Sequence, residues 1–185
     1  LAADSLMTQM LEASHTKYLS EIINFIGFRL YKADENKLKI TKQELSRLSS
    51  LWGYMVALTE KDDSKKEALA DFGTWFASGK FNDDWSLDQL IVAIKIAGSI
   101  DLDFAVLKRL EKLAEAHSAK AVTVIDSMVD GAARDRWSIG TWRDNAVSIL
   151  STAYHSTNES TKRAASTLAN KLVNMGYTEY RSVIK

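Results

Sequence analysis

Neither cysteine nor proline occurs in these 185 residues, and glycine occurs only eight times. Without cysteine there is no disulfide scaffold, no thiol nucleophile and no cysteine-ligated zinc, a usage that fits a reducing cytoplasm. Without proline, helix boundaries must be read from caps and glycines. The glycines stand mostly at expected helix ends, and none builds a loop to cradle phosphate: GxxxxGK(S/T), GxGxxG and GxSxG are all missing. A surplus charge is missing too, since 24 basic residues balance 24 acidic ones. Binders of duplex DNA draw much of their affinity from basic residues on phosphates, so nucleic acid is demoted as a partner. No apolar run approaches the roughly 18 residues needed to cross a bilayer, and nothing near Leu1 resembles a signal peptide. The expectation is a cytoplasmic chain, without a membrane partner, cut from a larger protein. The clean helical ending before Lys185 reads as a natural C-terminus.

What is present is helix, signalled at near-regular spacing. Thr41–Glu44, Ser64–Glu67 and Ser86–Gln89 each have the form of a capping box. In such a box a hydroxyl accepts from an orphan backbone N–H, and an acid or amide three residues on reaches back. Further starts are expected at Asp101, near Thr141 and at Asn158. From Ser64 onward the starts come in pairs that recur about every 40 residues, the period of two-helix repeats. Apolar stripes at helical spacing fill the intervals: Leu19, Ile22, Ile23, Ile26 and Leu30; Leu45, Leu48, Trp52, Met55 and Val56; Ala68, Leu69, Phe72 and Phe76; Leu87, Leu90, Ile91, Ile94 and Ala97; Leu102, Val106, Leu110 and Leu113; Val122, Ile125 and Val129. A fourth pair is expected from Trp142 to Gly176, with a short turn over Thr178–Ile184 sealing the end. Ala132–Thr141 reads as the longest loop of this half. The run Val122–Ile125 is β-branched, yet it lies between alanine-rich neighbours and a terminal glycine, so it too reads as helix.

The fold expected is all-α: about eight helices in four antiparallel pairs, stacked as a short right-handed α-solenoid of HEAT-like two-helix repeats. One pair cannot bury its apolar faces alone, and stacking gives a continuous core. A closed helical bundle is the alternative. Residues 1–185 are expected to form a single repeat domain, with residues 1–60 as a preceding or capping helical pair.

Chemistry has little support. His15, His117 and His155 are far apart, and none has a partner at helical spacing. The acid pairs Asp62–Asp63 and Asp83–Asp84, like Asp101 and Asp103, precede helix starts, where the helix dipole favours carboxylates. No catalytic, cofactor or metal-binding residue is expected, and an enzyme would need two acids from different repeats to converge. One surface stands out: Arg134, Arg136, Trp137, Trp142 and Arg143 gather in ten residues. Tryptophan and arginine dominate interface hot spots and also suit base stacking. The structural alternative packs both indoles between repeats and pairs the arginines with Asp130, Asp135 and Asp144. Trp75, Phe76, Phe81 and Trp85 form a second aromatic cluster, read as pinning a turn onto the core.

The segment Phe72–Phe81 with Trp85 and the helix after it, the Trp137–Ile139 run with Trp142, and the ending Leu172–Arg181 with Gly176-Tyr177 together resemble the HEAT-like C-terminal regions of large bacterial multidomain proteins, the STAND-type phage-defence proteins among them. The resemblance spans residues 60–185 and carries over no catalytic residue. It implies a non-catalytic protein-binding module, the sensor or scaffold of a larger protein. HEAT-like DNA glycosylases share the acids and tryptophans, but their basic surplus is missing here. Nucleic-acid binding through the basic C-terminal third (Arg143, Lys162, Arg163, Lys171, Arg181, Lys185) is the alternative function.

Overall fold

Each helical start can be followed from its cap. In the computed structural model, which describes Gln9, residues 14–131 and residues 136–185, all regular structure is helical. Helix α1 spans Thr16–Tyr31 and α2 Lys42–Thr59. A 3-10 segment, Asp63–Asp71, runs straight into α3, Phe72–Ala77. Then come α4 (Asp83–Ala97), α5 (Asp103–Leu113), α6 (Ser118–Gly131), α7 (Arg136–Thr141), α8 (Arg143–Tyr154) and α9 (Glu159–Asn174). A second 3-10 segment, Thr178–Ile184, ends the chain.

The Thr41 box forms in full: the Glu44 amide donates to the threonine hydroxyl at 3.2 Å, and the Thr41 amide donates to the Glu44 carboxylate at 2.7 Å. Asn158 accepts from the amides of Ser160 and Thr161 at 3.0 and 3.2 Å, starting α9 where expected. Three starts move. Asn82 caps α4 by accepting from the Trp85 amide at 3.0 Å, and Ser86 lies inside the helix. Asp62 takes the capping role expected of Ser64, and the segment it opens is 3-10 rather than α-helix. Leu102 precedes α5 in a left-handed conformation, φ 55°, so that helix begins two residues after Asp101. At α4 the C-terminal glycine behaves as expected, Gly98 taking φ 73°. The latter part of the expected Ala132–Thr141 loop is helical, as α7; residues 132–135 lie outside the described residues.

Packing follows an every-second-element order. Helix α1 lies on the first 3-10 segment and α3, α3 lies on α5, and α5 lies on α8. In the other series α2 lies on α4, α4 on α6 and α6 on α9. The last 3-10 segment packs on both α8 and α9, burying Tyr180 and Val183. Two lysines staple the second series. Lys120 of α6 reaches Asp84 and Asp88 of α4 at 2.7 and 2.8 Å, and Lys171 of α9 reaches Asp126 and Asp130 of α6, both at 2.7 Å. Each lysine meets two acids one turn apart on the helix before it.

The second aromatic cluster is core, as expected. Trp52 stacks on Phe72 with centroids 4.8 Å apart and meets Trp75, Phe81 and Trp85 edge-on. Such pairs add to simple area burial. The Trp75 indole N–H donates to the Ile23 carbonyl of α1 at 2.8 Å, fixing α3 to α1. The contact is close because Gly27 has no side chain: a Cβ there would lie 1.8 Å from the Thr74 hydroxyl oxygen. Two expected core positions are not core: Leu102, before α5, is exposed, and so is one residue of α1. Ile22 of α1 faces outward and is exposed, while Leu19, Ile23, Gly27 and Leu30 carry the contact.

Candidate functional site

Of the cluster singled out in the sequence, Trp142 is placed most fully. It joins α7 to α8 and is 5% exposed, packed in the core with Ile139 and Ala146. Its indole N–H donates to the Asp103 carboxylate at 2.7 Å, which ties α5 to the start of α8. Arg143 is exposed and pairs with its neighbour Asp144 at 2.8 Å. Arg136 and Trp137 belong to α7 by backbone, and Arg134 lies outside the described residues.

The acids mostly do structural work. Asp83 pairs with Arg109 of α5, and Asp84 with Lys120 and, at 3.6 Å, with His117. The Asp84 carboxyl is held below its usual range, first by the hydrogen bond from Lys120. His155 contacts the Ser151 carbonyl at 2.8 Å. No cluster of three metal-ligating side chains occurs among the described residues.

Two acids from different pairs do converge. Asp71, at the end of the first 3-10 segment, is 2% exposed, and its carboxyl lies within hydrogen-bonding reach of Asp101. Ser20 of α1 donates to its other side. Burial pushes the Asp71 carboxyl up to about 6, Asp101 pushes the same way, and the hydrogen bonds from Ser20 and Asn24 oppose both. Neither acid lines any of the three hollows described below. The pair is therefore placed to act on stability. A folded-state value above the ordinary one means that the fold favours the neutral acid. That contribution is full below about pH 4 and is lost as pH rises through about 6, a total of about 3 kcal/mol at 1.4 kcal/mol per unit. Asp71→Asn keeps the neutral shape and the acceptor for Ser20. It should match the wild type near pH 4 and exceed it by up to about 3 kcal/mol at pH 7, measured by denaturant unfolding at the two pH values. An equal offset at both would put the effect elsewhere.

The hollows differ in character. One of about 380 Å³ is lined by Tyr31, Asp34, Lys80, Lys108, Arg109 and Lys112. It is basic, but Lys80 is paired with Asp34 at 2.6 Å and Arg109 with Asp83. A second, of about 670 Å³, lies between the ends of α5 and α8 and is lined by both signs of charge, with Glu111, Lys112 and Glu115 beside His155. The third, of about 370 Å³, is apolar and lies between α1 and α2, walled by Phe25, Ile26, Leu30, Leu38, Ile40 and Leu48. Arg29, Lys39, Glu44 and Arg47 stand at its rim.

That third hollow borders the largest gathering of exposed apolar side chains among the described residues. Tyr18 (58% exposed), Ile22 (42%), Phe25 (66%) and Phe28 (54%) all lie on the outer side of α1, with Tyr31 and Leu38 exposed just beyond. A helix that is apolar on opposite faces is expected to be buried on both. Here the inner face packs on α3, and the outer face meets no other described element. Surface apolar residues scattered singly need no explanation, but a contiguous group marks an interaction site. This face went unread in the sequence because a stripe that accounts for one side of a helix does not count what is left on the other. The signal was present: with Leu19, Ile23 and Leu30 assigned inward, Tyr18, Phe25 and Phe28 have no inward place at 3.6 residues per turn.

Compared with protein-family models, with curated proteins and with solved structures, the chain matched none.

Proposed function

We propose that this chain is a non-catalytic protein-interaction module, and that its working surface is the outer face of α1 with the apolar groove beside it. The observation that carries the reading is the aromatic outer face of α1, a helix already fully engaged on its inner side. Aromatic side chains of this kind supply interface anchors at small entropic cost. The every-second-element packing supports a short stack of two-helix units, an architecture that offers extended faces to partners. The resemblance to HEAT-like regions adds a context, a sensor or scaffold within a larger bacterial cytoplasmic protein. The α1 face has more support than the Arg134–Arg143 cluster, whose best-placed ring is buried. Nucleic-acid binding through the C-terminal third is weakened by the acids that neutralise Arg143 and Lys171. Among the described residues no helix is long and apolar enough to cross a membrane.

A photo-crosslinking benzoylphenylalanine in place of Phe25 tests the surface. Irradiation in the producing cell should give protein adducts at position 25 and none when the same group replaces exposed Arg163 on α9. No adduct at position 25 would end the reading.

A further inference from the structure

We propose that the occupant of the α1 outer face is a second copy of this chain, its α1 lying antiparallel to the first about a two-fold axis at Phe25. The inference rests on the interaction reading above and names its partner. A two-fold interface is self-complementary: whatever stands a given number of residues before the axis must suit what stands as many after it. On α1 it does. Glu21 and Arg29 lie four residues either side of Phe25, and both are exposed. They are about 12 Å apart along the axis, too far to pair within one helix, and neither has an ion-pair partner among the described residues. In the antiparallel pair, Glu21 of each copy faces Arg29 of the other, twice. Ile22 then meets Phe28 of the second copy, and Tyr18 comes opposite Lys32.

These side chains fall within a strip about 120° wide at 3.6 residues per turn, directly opposite the buried face of Leu19, Ile23 and Leu30. Along the helix axis Ile22, Phe25 and Phe28 lie at the centre, with Glu21, Arg29 and Lys32 further out, an apolar middle between charged positions as interfaces commonly have. It leaves the Phe25 ring at the mouth of the α1–α2 groove. One helix face with a bordering groove is at the small end of stable interfaces, so association on the order of micromolar is expected.

Sedimentation equilibrium of the full chain, from about 1 to 100 µM, with single and paired charge reversals, tests this. The wild type should pass from monomer to dimer across that range. Glu21→Arg places like charges opposite each other, as does Arg29→Glu, and each should weaken the dimer tenfold or more. The double variant restores opposite charges and should restore the dimer. An equimolar mixture of the two single variants should form mixed dimers more readily than either forms its own. Both residues are exposed, so the circular dichroism melts should stay together. A wild type that is monomeric throughout overturns the proposal, as does a double variant no better than the singles. A full chain that is monomeric but dimerises on removal of residues 1–13 overturns it by assigning the face to the chain's own preceding segment. The interaction reading fails separately: adducts from position 25 to other proteins alone sink self-pairing and keep that reading, whereas no adduct sinks both.

Discussion

Trp142→Ala is expected to lower folding stability by about 3–5 kcal/mol, the range for removing a buried tryptophan. Three losses combine. The ring leaves a cavity among core neighbours that include Ile139 and Ala146. Its hydrogen bond to Asp103 goes, and that bond is the tie between α5 and the start of α8. The Asp103 carboxylate then loses a donor in a half-buried place, which costs more than the bond contributed. Trp142→Phe keeps the six-membered ring and removes the donor with the smaller ring, so a lesser loss of about 1–2 kcal/mol is expected. Denaturant midpoints at constant m-value give both numbers. A loss below about 1 kcal/mol for the alanine variant would return the indole to an interface role.

Gly27→Val should be as damaging, at about 4 kcal/mol, beyond the usual overpacking range. The position has no slack. The Thr74 hydroxyl that a Cβ would strike is held by its own bond to the Asp71 carbonyl at 2.7 Å. Trp75, 2.7 Å from the same point, is held by its bond to Ile23. Neither can retreat without opening the aromatic cluster around Trp52. Gly53 in α2 is the control, because a Cβ there meets nothing within 4 Å. Gly53→Ala should gain up to about 1 kcal/mol from helix propensity. The thermal midpoints of the two variants should therefore move in opposite directions. If both variants melt like the wild type, α1 does not sit so closely against α3.

The all-helical fold was legible because its signals are local. Thr41, Asn158 and Gly98 act within one turn of where they stand, and each forms the cap its residue type predicts. Boundaries slipped where two capping residues competed. Asn82 took the α4 start from Ser86, and Asp62 the 3-10 start from Ser64, because a short side-chain acceptor nearer the turn reaches the free amides first. Side assignment was less legible than element type. Leu19 and Ile22 are three residues apart and both apolar, and only the partner helix decides which is inside. The Asp71–Asp101 pair was invisible for the same reason, since a sequence separation of 30 gives no local sign of contact. Trp142 illustrates the remaining ambiguity. A tryptophan beside arginines has the composition of a hot spot, yet here an acid on another helix, Asp103, claims its N–H.

The every-second-element packing also governs how the chain reaches this state. Among the described residues no substantial contact joins elements further apart along the chain than α1 and α3, so each closure spans a modest loop whose entropic cost grows only slowly with length. Chains built from near-neighbour contacts fold fast for their size. The first and last described elements then differ: the final 3-10 segment packs on both α8 and α9 with Tyr180 and Val183, whereas α1 is held on one side only among the described residues. Among the described elements, opening is therefore cheapest from the α1 side, and anything that binds there acts as a clamp on the unit they form.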